Sequence, residues 1–124
     1  MKAKSSLKRP IISHNYVDIM IYANTYELTD VANFCVERLD ISRDLDINIS
    51  VCCLKQDGAL GWCYDIFDNE ADIELEITMD REKTILTLCH EMVHVKQADR
   101  GDDEFCEEEA HRMESQLYDE YISR

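Results

Sequence analysis

"DREKTILTLCHEMVHVKQADRG", residues 80–101, is the stretch around which the rest of the chain has to be arranged. Set at ~100° per residue, Ile85, Leu86, Leu88, Cys89, Met92, Val93 and Val95 cover more than half of a helix circumference. A helix that apolar is buried inside its domain. Asp80 is a suitable N-cap and Gly101 a suitable stop. The remaining arc carries Lys83, Thr87, His90, Glu91, His94, Gln97 and Ala98. Such a polar strip must open onto a cleft or meet polar partners. His90 and His94 stand four apart, on one face and roughly 6 Å apart along the axis, so both imidazoles can reach one ion. Glu91 points beside that pair, toward a water rather than the ion. This His-Glu-x-x-His spacing is that of two zinc ligands and a general base. By composition alone it arises in on the order of one in several hundred chains of this length, so a third ligand has to be found.

The segment after Gly101, "DDEFCEEEAHRMESQLYDEYI", predicts a second helix with Asp102 or Asp103 as N-cap, forming an antiparallel pair with the first. Its apolar stripe is Cys106, Ala110, Met113, Leu117 and Tyr121. Counted from the turn, Glu109 stands level with His94. It also lies roughly 60° from the stripe centre, closer than Glu107 or Glu108. Glu109 is therefore the expected third ligand, with His111 as the runner-up.

Upstream, "NTYELTDVANFCVERLD" (24–40) predicts a helix with an Asn24–Glu27 capping box and a stripe of Leu28, Val31, Cys35 and Leu39. "YVDIMIY" (16–22), "INISVCCL" (47–54), "LGWCYDI" (60–66) and "DIELEITM" (72–79) read as strands, with Asp57-Gly58 as a hairpin turn. The last alternates apolar residues with Glu74 and Glu76, a half-buried strand with a wet acidic face. The predicted class is α+β: a mostly antiparallel sheet of three or four strands packed on the histidine helix, followed by the glutamate helix.

A chain of 124 residues suits one domain, here 13–124 behind a basic flexible arm at 1–12. It holds 13 basic and 27 acidic residues, net −14, and four of the basic ones fall in the first nine. A body this acidic repels phosphate backbones, so direct nucleic-acid binding is not expected. No run is long enough to span a membrane, and the N-terminus lacks the apolar core of a signal peptide. The six cysteines contain no CxxC pair and are expected to be reduced thiols of a cytoplasmic protein.

On these residues, HEMVH with a glutamate in a downstream helix, the chain resembles the gluzincin metallopeptidases over about 81–122. The helix and strands before the motif are similar to the reduced core of the minigluzincins. "HEMVHVKQ" with "EAHRME" also resembles small bacteriophage-encoded proteins labelled SprT-like, which would act in the host cytoplasm. Metzincins continue the motif as HxxGxxH, whereas Gln97 and Arg100 stand at those positions here. The resemblance implies a minimal zincin core, Zn2+ on His90, His94 and Glu109, and Glu91 as the base in peptide-bond hydrolysis. Its substrate would be a peptide or unfolded protein lying along an edge strand, with 72–79 as the candidate. The transition-state donor of larger members has only candidates here: Tyr118, Tyr121 and His111. A metal-stabilised interaction module, an inhibitor or adaptor with vestigial chemistry, is the alternative.

Overall fold

A computed structural model describes residues 11–14 and 25–124. Strand 16–22 and Asn24 of the capping box lie outside the described residues. The order of elements is β1 (Ile11–His14), α1 (Thr25–Arg38), β2 (Asp46–Cys52), β3 (Gly61–Cys63), β4 (Glu70–Glu76), α2 (Arg81–Asp99) and α3 (Glu107–Ser123). Strand β1 opens two residues inside the arm expected over 1–12.

The α+β class holds, but the sheet is mixed. Its order is β1-β2-β4-β3, with β1–β2 and β2–β4 parallel and only β3–β4 antiparallel. Apolar alternation reports which face of a strand is buried, not the direction of its neighbour, and that is why a mostly antiparallel sheet was expected. The hairpin expected at Asp57-Gly58 is absent. Gly58, at φ 73°, instead closes a short 3-10 turn over Lys55–Asp57, and the chain runs on to the far edge before pairing. The tight turn falls later, at Asp68-Asn69. Both residues have positive φ (52° and 64°), and Phe67 and Glu70 exchange backbone hydrogen bonds of 3.0 Å across them. Two successive left-handed residues match the right-handed twist of the flanking strands.

Strand β4 is therefore interior, and the edge beside α2 is β3. Ala71, Ile73 and Leu75 of β4 and Ile47, Ile49 and Val51 of β2 are buried with Leu28, Val31 and Cys35 of α1. On the face of β4 expected to be wet, Asp72 and Glu74 are half-buried, but Glu76 is not. Glu76 is 1 % exposed and accepts hydrogen bonds from the backbone N–H of Leu54 (2.6 Å), Lys55 (2.8 Å) and Thr78 (3.1 Å), and from Thr78 Oγ1 (2.8 Å). Those donors make it a structural carboxylate that ties β4 to the turn after β2.

Helix α2 runs through the middle of the fold, packed against α1, α3, β3 and β4. Asp80 caps it, accepting from Lys83 N–H at 2.8 Å. Among the described residues no helix is long and apolar enough to cross a membrane.

Candidate metal centre

Buried α2 aims its polar strip at α3. Residue His90 meets Glu107 and Glu114, while Gln97, two turns on, meets Cys106 and Glu109. The two helices thus run antiparallel, as the short connection predicted.

The ring of His90 is held at both nitrogens. Its Nδ1 donates to Glu114 Oε1 at 2.7 Å, and its Nε2 lies 2.9 Å from Glu107 Oε1. Burial opposes charge on this ring, but Glu114, Glu91 and Glu107 outweigh it and raise its pKa above the ordinary 6.5.

The second histidine is fixed more tightly, through Gln97. That side chain is fully buried. Its Oε1 accepts from Cys106 N–H at 2.9 Å, and its Nε2 donates to Cys106 O at 3.0 Å and to Glu109 Oε1 at 2.8 Å. A backbone N–H cannot accept and a carboxylate cannot donate, so the amide can point only one way. Its Oε1 must then accept from His94 Nδ1–H, at 2.9 Å. The tautomer follows: in neutral His94 the lone pair is on Nε2. That atom is buried with no hydrogen bond. It lies 3.2 Å from Glu107 Oε2, near enough for an ion pair but wrongly directed for a hydrogen bond.

A nitrogen lone pair facing a carboxylate oxygen is repulsive unless a proton or a metal ion joins them. Glu107 presents one oxygen to each histidine Nε2, and each Nδ1 is held from behind, by Glu114 and by Gln97. Nitrogen and oxygen donors brought together, with each imidazole oriented through its other nitrogen, are groups that a metal ion can use. The residues fit a metal ion. Ligand atoms of His90, Glu107 and His111 lie within 4.8 Å of one another; His94 is outside that group and approaches only Glu107, with Nε2 3.2 Å from Oε2.

The expected third ligand, Glu109, is elsewhere. Its carboxylate accepts from Arg100 Nη2 at 2.6 Å and Nη1 at 3.3 Å, as well as from Gln97. Arg100 first, then Gln97, hold its pKa below 4.5. The level-height count ran from Gly101, with α3 capped at Asp102 or Asp103. It starts at Glu107, with Cys106 as N-cap, and Phe105 in the connection stacks on the His94 ring at 4.7 Å. The glutamate facing the histidines is therefore Glu107. A spacing signal for it was available: Glu107, His111 and Glu114 stand at i, i+4 and i+7, one polar stripe of α3.

Glu91 is 6 % exposed. Burial pushes its pKa up to about 7; the positive charge of His90 opposes this, and Glu107 and Glu114 reinforce it. It packs under β3 at Gly61, where a Cβ would stand 2.8 Å from Glu91 Oε2 and 2.6 Å from Thr87 Cγ2. Only glycine lets the edge strand come this close.

A cleft of about 430 Å³ opens over His90, Glu91, Glu107, His111 and Glu114. It continues into one of about 240 Å³ that runs between Trp62 of β3 and Phe105. The edge strand bordering the site is β3, not the expected 72–79 strand, which is interior. Of the three candidate donors, only His111 lines the cleft. Tyr121 is buried against Phe34, with its OH 3.4 Å from Glu27, and Tyr118 packs against the core. The chain matches no family model, no curated protein and no solved structure.

Proposed function

We propose that the protein is a zinc-dependent peptide hydrolase of gluzincin type, with Glu107 in the role the sequence suggested for Glu109. One observation carries this reading. Two histidines, each clamped through Nδ1, turn Nε2 onto the two oxygens of one carboxylate. Beside them lies a buried carboxylate, Glu91, that is outside that group.

His90, His94 and Glu107 would hold the ion. Zinc, when bound, supplies Lewis acidity that activates water near neutral pH and polarises a carbonyl. Glu91 takes a proton from the attacking water onto its carboxylate and passes it to the leaving amine nitrogen. Burial serves this role, because a carboxyl pushed up to about 7 both accepts and returns a proton near neutral pH. Glu114 and Gln97 keep the imidazoles oriented. A substrate peptide would add to the outer edge of β3, the edge strand whose Gly61, Trp62 and Cys63 line the cleft. The six thiols, two of them exposed, suit a reducing compartment, and the cytoplasm is the proposed location.

The alternative, a metal-stabilised interaction module, draws on one feature: His111 stands in the donor group with His90 and Glu107, and together with His94 it would make four protein ligands, the number usual in structural sites. The two readings separate on Glu91. Metal analysis of the purified protein should find one zinc per chain, and a peptide library should be cleaved in a chelator-sensitive way. Glu91→Gln should keep the zinc and lose at least ~10²-fold in rate. Full zinc content with no cleavage of any library peptide by the wild type would favour the interaction module.

A further inference from the structure

The ligand-bearing residues form two matched pairs. His90 and His94 are i,i+4 on α2, and Glu107 and His111 are i,i+4 on α3. In antiparallel helices two such pairs face each other as the corners of one box. Three corners are tied to one another. The side chain of His90 is 13 % exposed and that of His94 3 %, and Glu107, itself 65 % exposed, is bound to His90 at 2.9 Å and lies 3.2 Å from His94. The fourth is different. The side chain of His111 is 69 % exposed, and its Nδ1 lies 3.5 Å from Glu114 Oε1, an oxygen already committed to His90 at 2.7 Å. Its ring rests against that of His90, with centroids 4.8 Å apart, on the rim of the larger cleft.

We propose that His111 is a displaceable fourth protein ligand, so that the loaded site rests closed and opens when an oxygen donor from a substrate takes its place. This rests on the metal reading above. The exchange breaks one metal–nitrogen contact and makes one metal–oxygen contact, with no proton or electron left over. Weak tethering makes His111 the corner that yields: leaving the group sacrifices no hydrogen bond that another residue needs, whereas Glu107, similarly exposed, is bound to His90. The buried, clamped histidines cannot move without breaking their hydrogen bonds to Gln97 and Glu114. The resting site would have four protein ligands and the working site three, and this reconciles a complete donor set with a base that a purely structural site does not use.

The test uses the full chain loaded with Co2+, whose visible absorption reports coordination number, in wild type, His111→Ala and, as a neighbouring surface control, Arg112→Ala. Wild type and the control should give the same four-coordinate spectrum and convert, at high acetohydroxamate, a bidentate oxygen donor, to the spectrum of hydroxamate-bound His111→Ala; a wild-type spectrum that acetohydroxamate never changes would overturn the displacement. His111→Ala should bind Co2+ at least ~10-fold more weakly, show an altered spectrum, and bind acetohydroxamate at lower concentration. Its metal-free melting curve should match wild type, because the residue is exposed. Unchanged Co2+ affinity, spectrum and hydroxamate response in His111→Ala would overturn the proposal while leaving a three-ligand centre intact. Failure of the wild type to bind either Co2+ or Zn2+ would overturn the metal reading and this proposal together.

Discussion

Glutamates 107 and 109 are two residues apart on α3 and have opposite assignments, which makes the centre testable one side chain at a time. Glu107→Ala removes the carboxylate shared by both histidines and should lower zinc affinity far more than Glu109→Ala, which disturbs only the Arg100–Glu109–Gln97 chain. Gln97→Met keeps the volume but releases His94 Nδ1, and should weaken zinc binding by about 10- to 100-fold, the usual scale for losing a partner behind a ligand. Competition titration against a chromophoric chelator reads all three, and retention of zinc by Glu107→Ala would refute the assignment. Gly61→Ala probes the base instead. Its methyl group would press on Glu91 Oε2 and Thr87, shifting a group whose position sets the rate. Zinc content should be unchanged while the cleavage rate falls by about 10²-fold, the scale of an ångström's misplacement. Equal losses of zinc and rate would mean that the strand supports the whole site rather than Glu91.

At the scale of elements, the legible parts were those with a local cause. The wide apolar arc and Asp80 gave α2, and the Leu28, Val31, Cys35 and Leu39 stripe gave α1, all four residues being buried. What escaped depends on partners distant in sequence. Asp57-Gly58 is a stronger turn signal than Asp68-Asn69, yet the second makes the hairpin, because β4 has to enter between β2 and β3. The start of α3 was misjudged because Asp102 and Asp103 are good caps in isolation, whereas Gln97 draws the chain at Cys106 into the buried site and delays the helix to Glu107. Glu76 looked like a surface residue by alternation. Its burial shows only once the turn after β2 is in place to donate to it. Burial opposes its charge, but the bonds from Thr78, Leu54 and Lys55 prevail and lower its pKa below 4.5. A carboxylate whose folded pKa lies below its unfolded value adds stability above the unfolded value and loses it as pH falls through the folded one. Glu76→Gln should cost about 1–3 kcal/mol at pH 7, and the gap from wild type should shrink below pH 4.5. Urea unfolding of both proteins at pH 7 and pH 3.5 measures this, and a gap that stays constant would rule out the carboxylate as its source.

For the molecule as a whole, the acidic surplus and the cleft point the same way. Glu91, Glu107 and Glu114 concentrate negative potential where a cation is called for. The two helices that carry the candidate ligands are unequally rooted. Helix α2 has eleven buried residues, whereas α3 has three, Ala110, Leu117 and Tyr121. Proteins open in cooperative units whose free energies differ, and a helix with so few buried side chains belongs to the low end of that range. An ion bound to residues of both helices would join their fates, since α3 could then detach only by giving up the metal as well. Hydrogen exchange followed by mass spectrometry should therefore find, in chelator, that amides of α3 exchange well ahead of those of α2. With zinc added the two should slow toward a common rate. The metal-free chain would be a folded core with a loosely attached C-terminal helix, and the loaded chain a single unfolding unit.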